Sequence, residues 1–189
     1  MNRKLNTKTV IISALLCAIG IIIPLFSPIK IILEPASFTL ASHVAIFMAM
    51  FISPGTALFV TIGTTIGFFL GGFPIVVVLR ALSHLVFVLI GSMYLKKNKD
   101  TIKSIKASTL FSLIIGIIHG ACEVLIVMPF YFGTSLSDGY YDKGFLVAVV
   151  GLVGVGTVIH SMVDMGLSVY IWNVLPKEVR RNSVVTQKA

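Results

Sequence analysis

Charge is scarce in this chain. Only 12% of its 189 residues are charged, and just seven are acidic. A soluble domain is about a quarter charged and about half apolar. Here 57% of residues are hydrophobic and mean hydropathy is +1.02. Too few polar side chains exist to cover a water-facing surface, so the outer face must meet lipid. Cysteine is nearly absent. Cys17 and Cys122 both lie in apolar stretches, where a thiol serves as a small apolar side chain, and no disulfide is expected. No Cys-x-x-Cys, Cys/His or His-Glu-x-x-His spacing suggests a zinc site. Long polar stretches are also missing, which leaves no room for a soluble catalytic domain.

What is present is a series of apolar runs. A helix needs ~20 apolar residues to cross a membrane, and six segments qualify or nearly so. They predict an all-α, polytopic membrane protein, one domain over residues 1–189, with helices at about 9–27, 38–52, 56–70, 75–95, 107–128 and 144–174. Pro24 and Pro28 end the first, Ser53-Pro54-Gly55 the second and Gly71-Gly72-Phe73-Pro74 the third. The polar run Lys96–Lys106 is the clearest loop, Pro129–Lys143 is a second, and Pro28–Ser37 is a loop or re-entrant stretch. The last helix is longer than a perpendicular span needs and is expected to tilt or kink. The first run follows Arg3, Lys4 and Lys8 as a signal peptide would. It has no small-x-small cleavage site before Pro28, so it is expected to remain as a mature helix.

Six spans put both termini on one side. That side would hold Arg3, Lys4, Lys8, the lysines of 96–106, and Lys177, Arg180, Arg181 and Lys188. Only Lys30 and Lys143 fall on the other, with Arg80 inside the fourth helix. The positive-inside rule then places the termini in the cytoplasm of a cell-membrane protein. Orientation and anionic lipid account for the net charge of +8, so no nucleic-acid partner is expected. Tyr94 and Trp172 are expected in the cytoplasmic aromatic belt. Gly63-x-x-x-Gly67-x-x-x-Gly71 and Gly116-x-x-x-Gly120 have the spacing that lets helix backbones approach closely, read here as internal packing. Ala14-x-x-x-Ala18 is a weaker form of the same device.

The buried polar residues are the informative feature. His43, His84, His119, His160, Arg80, Glu123 and Asp164 all fall inside apolar segments. An ionisable group at membrane depth is costly unless paired, and marks a functional site by default. Arg80/His84, His119/Glu123 and His160/Asp164 are each four apart, so each pair shares a helix face that must point into the bundle. Arg80 lies six residues beyond Pro74 and Glu123 six before Pro129, which places both ~9 Å below the outer surface at 1.5 Å per residue. His43 enters near the outer end of its helix, while His160 and Asp164 are expected deeper, at or below the midplane. Arg80–Glu123 is either a ligand-binding pair or an ion pair stitching two helices. Histidines and carboxylates on facing helices can chelate a metal, but the expected difference in depth argues against one, and no metal or cofactor is expected. Phe68, Phe69 and Phe73 at the outer turn, and Tyr131, Tyr140 and Tyr141 in the outer loop, suit an organic ligand.

Six helices in under 200 residues, Ala14-x-x-x-Ala18 on the first, and outer loops over a pocket resemble the S components of energy-coupling-factor (ECF) vitamin transporters. Four segments are similar to the niacin-specific group: FTLASHVAIFMAMFISP at 38–54, FPIVVVLRALSHLVF at 73–87, IHGACEV at 118–124 and GTVIHSMVD at 156–164. The resemblance implies a substrate-binding subunit that captures a small vitamin from outside and is not itself an enzyme. A membrane coupling subunit, docked at Ala14 and Ala18, and two ATPase subunits would drive uptake. It implies niacin as ligand, with Arg80 on the carboxylate and a histidine on the ring nitrogen. His43, His84, His119, Glu123, Phe73, Tyr140, His160 and Asp164 complete the expected site.

Other readings stand beside it. One is an S component for riboflavin, folate or a queuosine precursor. Another is a stand-alone proton-coupled carrier using Glu123 or Asp164, although no two-half repeat of the kind common in such carriers is visible. An intramembrane metal-dependent enzyme would need the same acidic and histidine residues as ligands.

Overall fold

The computed structural model describes residues 7–33, 36–180 and 183–186, with the backbone alone for 30–33 and 36–37. Arg3, Lys4, Arg181 and Lys188, used above for orientation, lie outside the described residues. The elements in chain order are α1 (Thr7–Phe26), β1 (Lys30–Leu33), β2 (Ala36–Thr39), α2 (Val44–Ile52), α3 (Pro54–Leu70) and α4 (Ile75–Lys97). After a 3₁₀ turn at Thr101–Lys103 come α5 (Ile105–Phe132), α6 (Asp138–Asp142), a π-helical stretch over Leu146–Val155, α7 (Gly156–Val174) and α8 (Lys177–Arg180).

Among the described residues, four helical stretches are long and apolar enough to cross a membrane: Thr7–Phe26, Ile75–Lys97, Ile105–Phe132 and Leu146–Val174. Their outer faces carry large exposed apolar side chains, such as Ile11, Ile90, Ile117 and Ile159. That pattern is the inverse of a soluble protein, and the chain is a multi-pass, all-α membrane protein. α3 is a shorter apolar helix of 17 residues.

The second expected helix differs most. Phe38–Ile52 was expected to be one helix, but α2 has only nine residues, because Phe38 and Thr39 belong to β2. β1 and β2 pair antiparallel, Lys30 opposite Thr39 and Leu33 opposite Ala36, so the expected loop at 28–37 is largely a hairpin. Ala41 has a φ of 67°, a left-handed conformation no helix can contain, and it separates the hairpin from α2. At 1.5 Å per residue α2 spans ~14 Å, about half a bilayer core. All its residues but Met48 are buried, against α1, α3, α4 and α7. Its Phe47, Met50 and Phe51 centre a core that includes Phe87, Phe111 and Trp172. Trp172 is 2% exposed and meets Phe51 edge-on, so it is a core residue and not the belt residue expected. Tyr94 is exposed and stacks on Phe111.

α5 also overruns its expected end. It continues through Pro129 to Phe132 and stops at Gly133, whose N–H bonds the Pro129 carbonyl at 2.9 Å. Pro129 therefore sits within the last turn of the helix and does not end it, at the loss of one bond of the ladder. The expected last helix, 144–174, is a π-helical stretch followed by α7. The glycine spacings are internal packing. A Cβ on Gly67 would collide with Ile21 of α1, and one on Gly120 would lie 2.7 Å from the Gly154 carbonyl oxygen. At the other end of the bundle Lys8 donates to the Glu178 backbone carbonyl. The Val184 N–H bonds the Ile52 carbonyl at 3.0 Å, so chain near both termini packs at that end.

Candidate functional site

Four helices deliver the polar residues to one place. On α4, Arg80 and His84 stand one turn apart, and on α5 His119 and Glu123 do the same, so the two faces meet. Arg80 Nη2 donates to Glu123 Oε2 at 2.7 Å. Thr157 of α7 donates its hydroxyl to the same oxygen at 2.6 Å. The other carboxylate oxygen, Oε1, lies 3.5 Å from His84 Nε2 and 3.4 Å from His119 Nε2. Glu123 is thus held by three helices and neutralised by one cation.

His43, at the start of α2, stands at the centre of the histidines. Its ring centroid is 5.0 Å from that of His84, 4.8 Å from His119 and 5.1 Å from His160. Asp164 of α7 holds the chain on the other side. Its carboxylate accepts the Ala41 N–H at 2.8 Å and the His43 N–H at 2.9 Å, and His43 Nδ1 lies 3.1 Å away. The Ser42 hydroxyl lies 3.0 Å from His160 Nε2. Asp164 therefore satisfies donors at the start of α2 from another helix, with its negative charge at the helix's positive end. A buried carboxylate is tolerated where it accepts several hydrogen bonds.

Thr157 of α7 reaches Glu123, while His160 lies about one turn and Asp164 two turns further along the same helix. Asp164 joins the group through His43, whose ring neighbours His84 and His119. Over Leu146–Val155, before α7, the hydrogen bonds skip one residue further than in an α-helix, so each turn consumes more chain.

Above the polar cluster is a cavity of about 330 Å³. Arg80, His84, Glu123, His43, Thr157 and His160 form its polar part. Thr61, Thr64 and Thr65 line the α3 side. Each of their hydroxyls donates to its own helix at 2.7–2.9 Å, which leaves oxygen lone pairs as acceptors. Phe38, Phe68 and Phe73 add aromatic surface, and the last two are stacked at 4.6 Å. A space of this size, mostly apolar with a few convergent polar groups, suits a small organic molecule.

The chain is 40% identical over 176 residues to the niacin transporter NiaX of Lactococcus lactis subsp. cremoris (strain MG1363), covering 93% of this chain and 78% of that protein. The chain belongs to this transporter's family. No protein-family model and no solved structure matches it.

Within this family member the expected site residues divide into three groups. Arg80, His84, Glu123, His43, His160 and Phe73 line the cavity. His119 and Asp164 are fully buried and stand behind the wall, in contact with residues that form it. Tyr140 is outside the lining, packed with Val127 and Val149. Burial raises its phenol pKa above the ordinary value, so it stays a neutral group. Tyr131 and Tyr141 pack on each other at 5.0 Å, and Phe69 is 63% exposed. Sequence reading missed Ser42, Thr157 and the α3 threonines. Thr157 lies three residues before His160 on the same face, and Thr61, Thr64 and Thr65 recur at helical spacing on an otherwise apolar helix. Those periodicities were the available signals.

Proposed function

We propose that this protein is the substrate-capturing S component of an ECF-type importer and that it binds niacin in the cavity beneath its outer hairpin and loops. The observation that carries this reading is Arg80. Its side chain lines the cavity, is fixed through Nη2 by Glu123, and is still 16% exposed. A rigidly held cation with accessible surface in the cavity is suited to a carboxylate such as that of nicotinate. Phe38, Phe68 and Phe73 suit the flat ring, and the lone pairs of Thr61, Thr64 and Thr65 suit an amide NH₂, as in nicotinamide. The relative's being a niacin transporter supports the same ligand.

In this reading six segments cross the membrane. The hairpin, the turn at 40–43 and α2 together make the second crossing, and α3 makes the third. The termini are cytoplasmic, which agrees with the contact between Lys8 and Glu178 at the inner end. Ala14 and Ala18 are both exposed on α1. They offer a shallow surface for a membrane coupling subunit, with two ATPase subunits outside this chain hydrolysing ATP. Purified protein should bind nicotinate with one site per chain, measured by titration calorimetry, and should not carry it into liposomes alone. Absence of nicotinate and nicotinamide binding, or unaided proton-driven uptake, would overturn the reading.

A further inference from the structure

The histidine cluster holds more donors than a small aromatic vitamin needs. One ring nitrogen each from His43, His84 and His119 lies within 4.8 Å of the other two. His119 is fully buried, and neither of its ring nitrogens has a hydrogen-bond partner among the described residues. Glu123 Oε1 stands 3.4 Å from its Nε2 but is misaligned for a hydrogen bond. A buried imidazole with both nitrogens unsatisfied is costly, and structures of this kind call for an explanation.

Two further observations point the same way. His43 Nδ1 faces Asp164 Oδ2 at 3.1 Å, an arrangement that places the proton on Nδ1 and leaves an Nε2 lone pair. A carboxylate behind a histidine is the usual outer support of a metal-bound imidazole. The second is charge. In the hydrogen-bonded cluster, Arg80 is a single cation against the Glu123 and Asp164 carboxylates. With neutral imidazoles a buried negative charge is left over, which is unfavourable without a counter-ion.

We propose that His43, His84 and His119 form a binding site for a divalent transition-metal ion of the zinc, cobalt or nickel class. Asp164 orients His43, and Glu123 Oε1, 3.5 Å from His84 Nε2 and 3.4 Å from His119 Nε2, is placed to balance charge or to serve as a fourth ligand. Imidazole nitrogens on a tetrahedral ion at ~2.0–2.1 Å stand ~3.3 Å apart, so the rings need to close by about 1.5 Å or less. The donor set, imidazole with carboxylate, selects this class over magnesium or calcium, which take oxygen ligands. Resting on the niacin reading, the ion has a consequence for the vitamin. A dication turns the cluster's net charge from negative to positive, so a nicotinate anion above it restores neutrality.

The test uses full-length protein in detergent with a tag free of histidine. Zn²⁺ and Co²⁺ are titrated in the absence of vitamin, with bound metal counted by elemental analysis. One ion per chain is expected, with a visible Co²⁺ spectrum of tetrahedral type. His119→Gln and His84→Gln should each weaken binding at least tenfold, and Asp164→Asn by ~10- to 100-fold. No bound ion, or an affinity unchanged in both histidine variants that retain a cooperative melt, would overturn the site. Nicotinate binding is then measured with Zn²⁺ and with a chelator. Tighter binding with Zn²⁺ supports the charge argument, and equal binding overturns it. Metal binding with no nicotinate binding in either condition would remove the vitamin reading and leave the metal site standing. Proton uptake with nicotinate in metal-free protein would show that a proton, not an ion, balances the cluster.

Discussion

Asp164, near the middle of α7, accepts the backbone N–H of His43 at 2.9 Å and so caps a helix that is remote in sequence. The same carboxylate takes the Ala41 N–H at 2.8 Å, across a turn with a positive φ. One buried side chain therefore fixes both the start of α2 and the end of the hairpin that covers the cavity. Asp164→Ala leaves two buried N–H groups without acceptors, at roughly 1–3 kcal/mol each. Asp164→Asn keeps one oxygen and should lose about half as much. Thermal unfolding of the purified variants checks this. An Asp164→Ala protein that melts like the wild type would show that the cap contributes nothing.

Much of this site is readable in sequence because helical spacing is strict. Arg80/His84 and His119/Glu123 could face each other only if α4 and α5 are neighbours, and their equal distance from the outer prolines put them at one level. The π-helical stretch before α7 was not foreseen, because LVAVVGLVGV reads as any apolar span. The start of α2 was missed for a related reason. From Phe38 to Ile52 no glycine or proline breaks the run, and the change from strand to helix depends on Ala41 and on a carboxylate more than a hundred residues away. Trp172 was read from its residue type, whereas its position beside Phe51 is decided by which face of α7 meets α2. Spacing within a helix is local information; the junctions between helices are tertiary.

The six-crossing topology predicts the accessibility of two exposed loop residues. Asn98 follows α4 and Ser137 precedes α6, at opposite ends of the bundle. In a background lacking Cys17 and Cys122, a single cysteine replacing Asn98 should react with a membrane-impermeant maleimide only after the inner face is opened. One replacing Ser137 should react in intact cells. Labelling of both from the same side would remove the topology.

Ala14 and Ala18 test the coupling surface. Both are exposed, while Ser13, Leu16 and Gly20 of the same helix are buried. Bulk added on the exposed face does not enter this protein's own core, but it blocks close approach by another helix. Ala14→Trp should abolish niacin uptake in cells, leaving the vitamin affinity of the purified protein within about twofold, less than 1 kcal/mol. Loss of binding together with uptake would make the position part of the internal fold.

The pair Arg80 and Glu123 separates ligand recognition from structural support. A charge-assisted hydrogen bond from Arg80 to a carboxylate contributes roughly 1.5–3 kcal/mol. Arg80→Met keeps the length of the stem and should weaken nicotinate binding about 10- to 150-fold at ~1.4 kcal/mol per decade. Nicotinamide, which carries no negative charge, should lose less. The same substitution also leaves Glu123 buried without its cation, which costs about 3–5 kcal/mol of stability. Adding Glu123→Gln removes that unpaired charge, so the double variant should recover most of its thermal stability. Nicotinate affinity, measured by calorimetry on the folded protein, should stay low, because the guanidinium that meets the carboxylate is still missing. If the double variant regains affinity as well as stability, Arg80 serves only to neutralise Glu123 and another group recognises the vitamin.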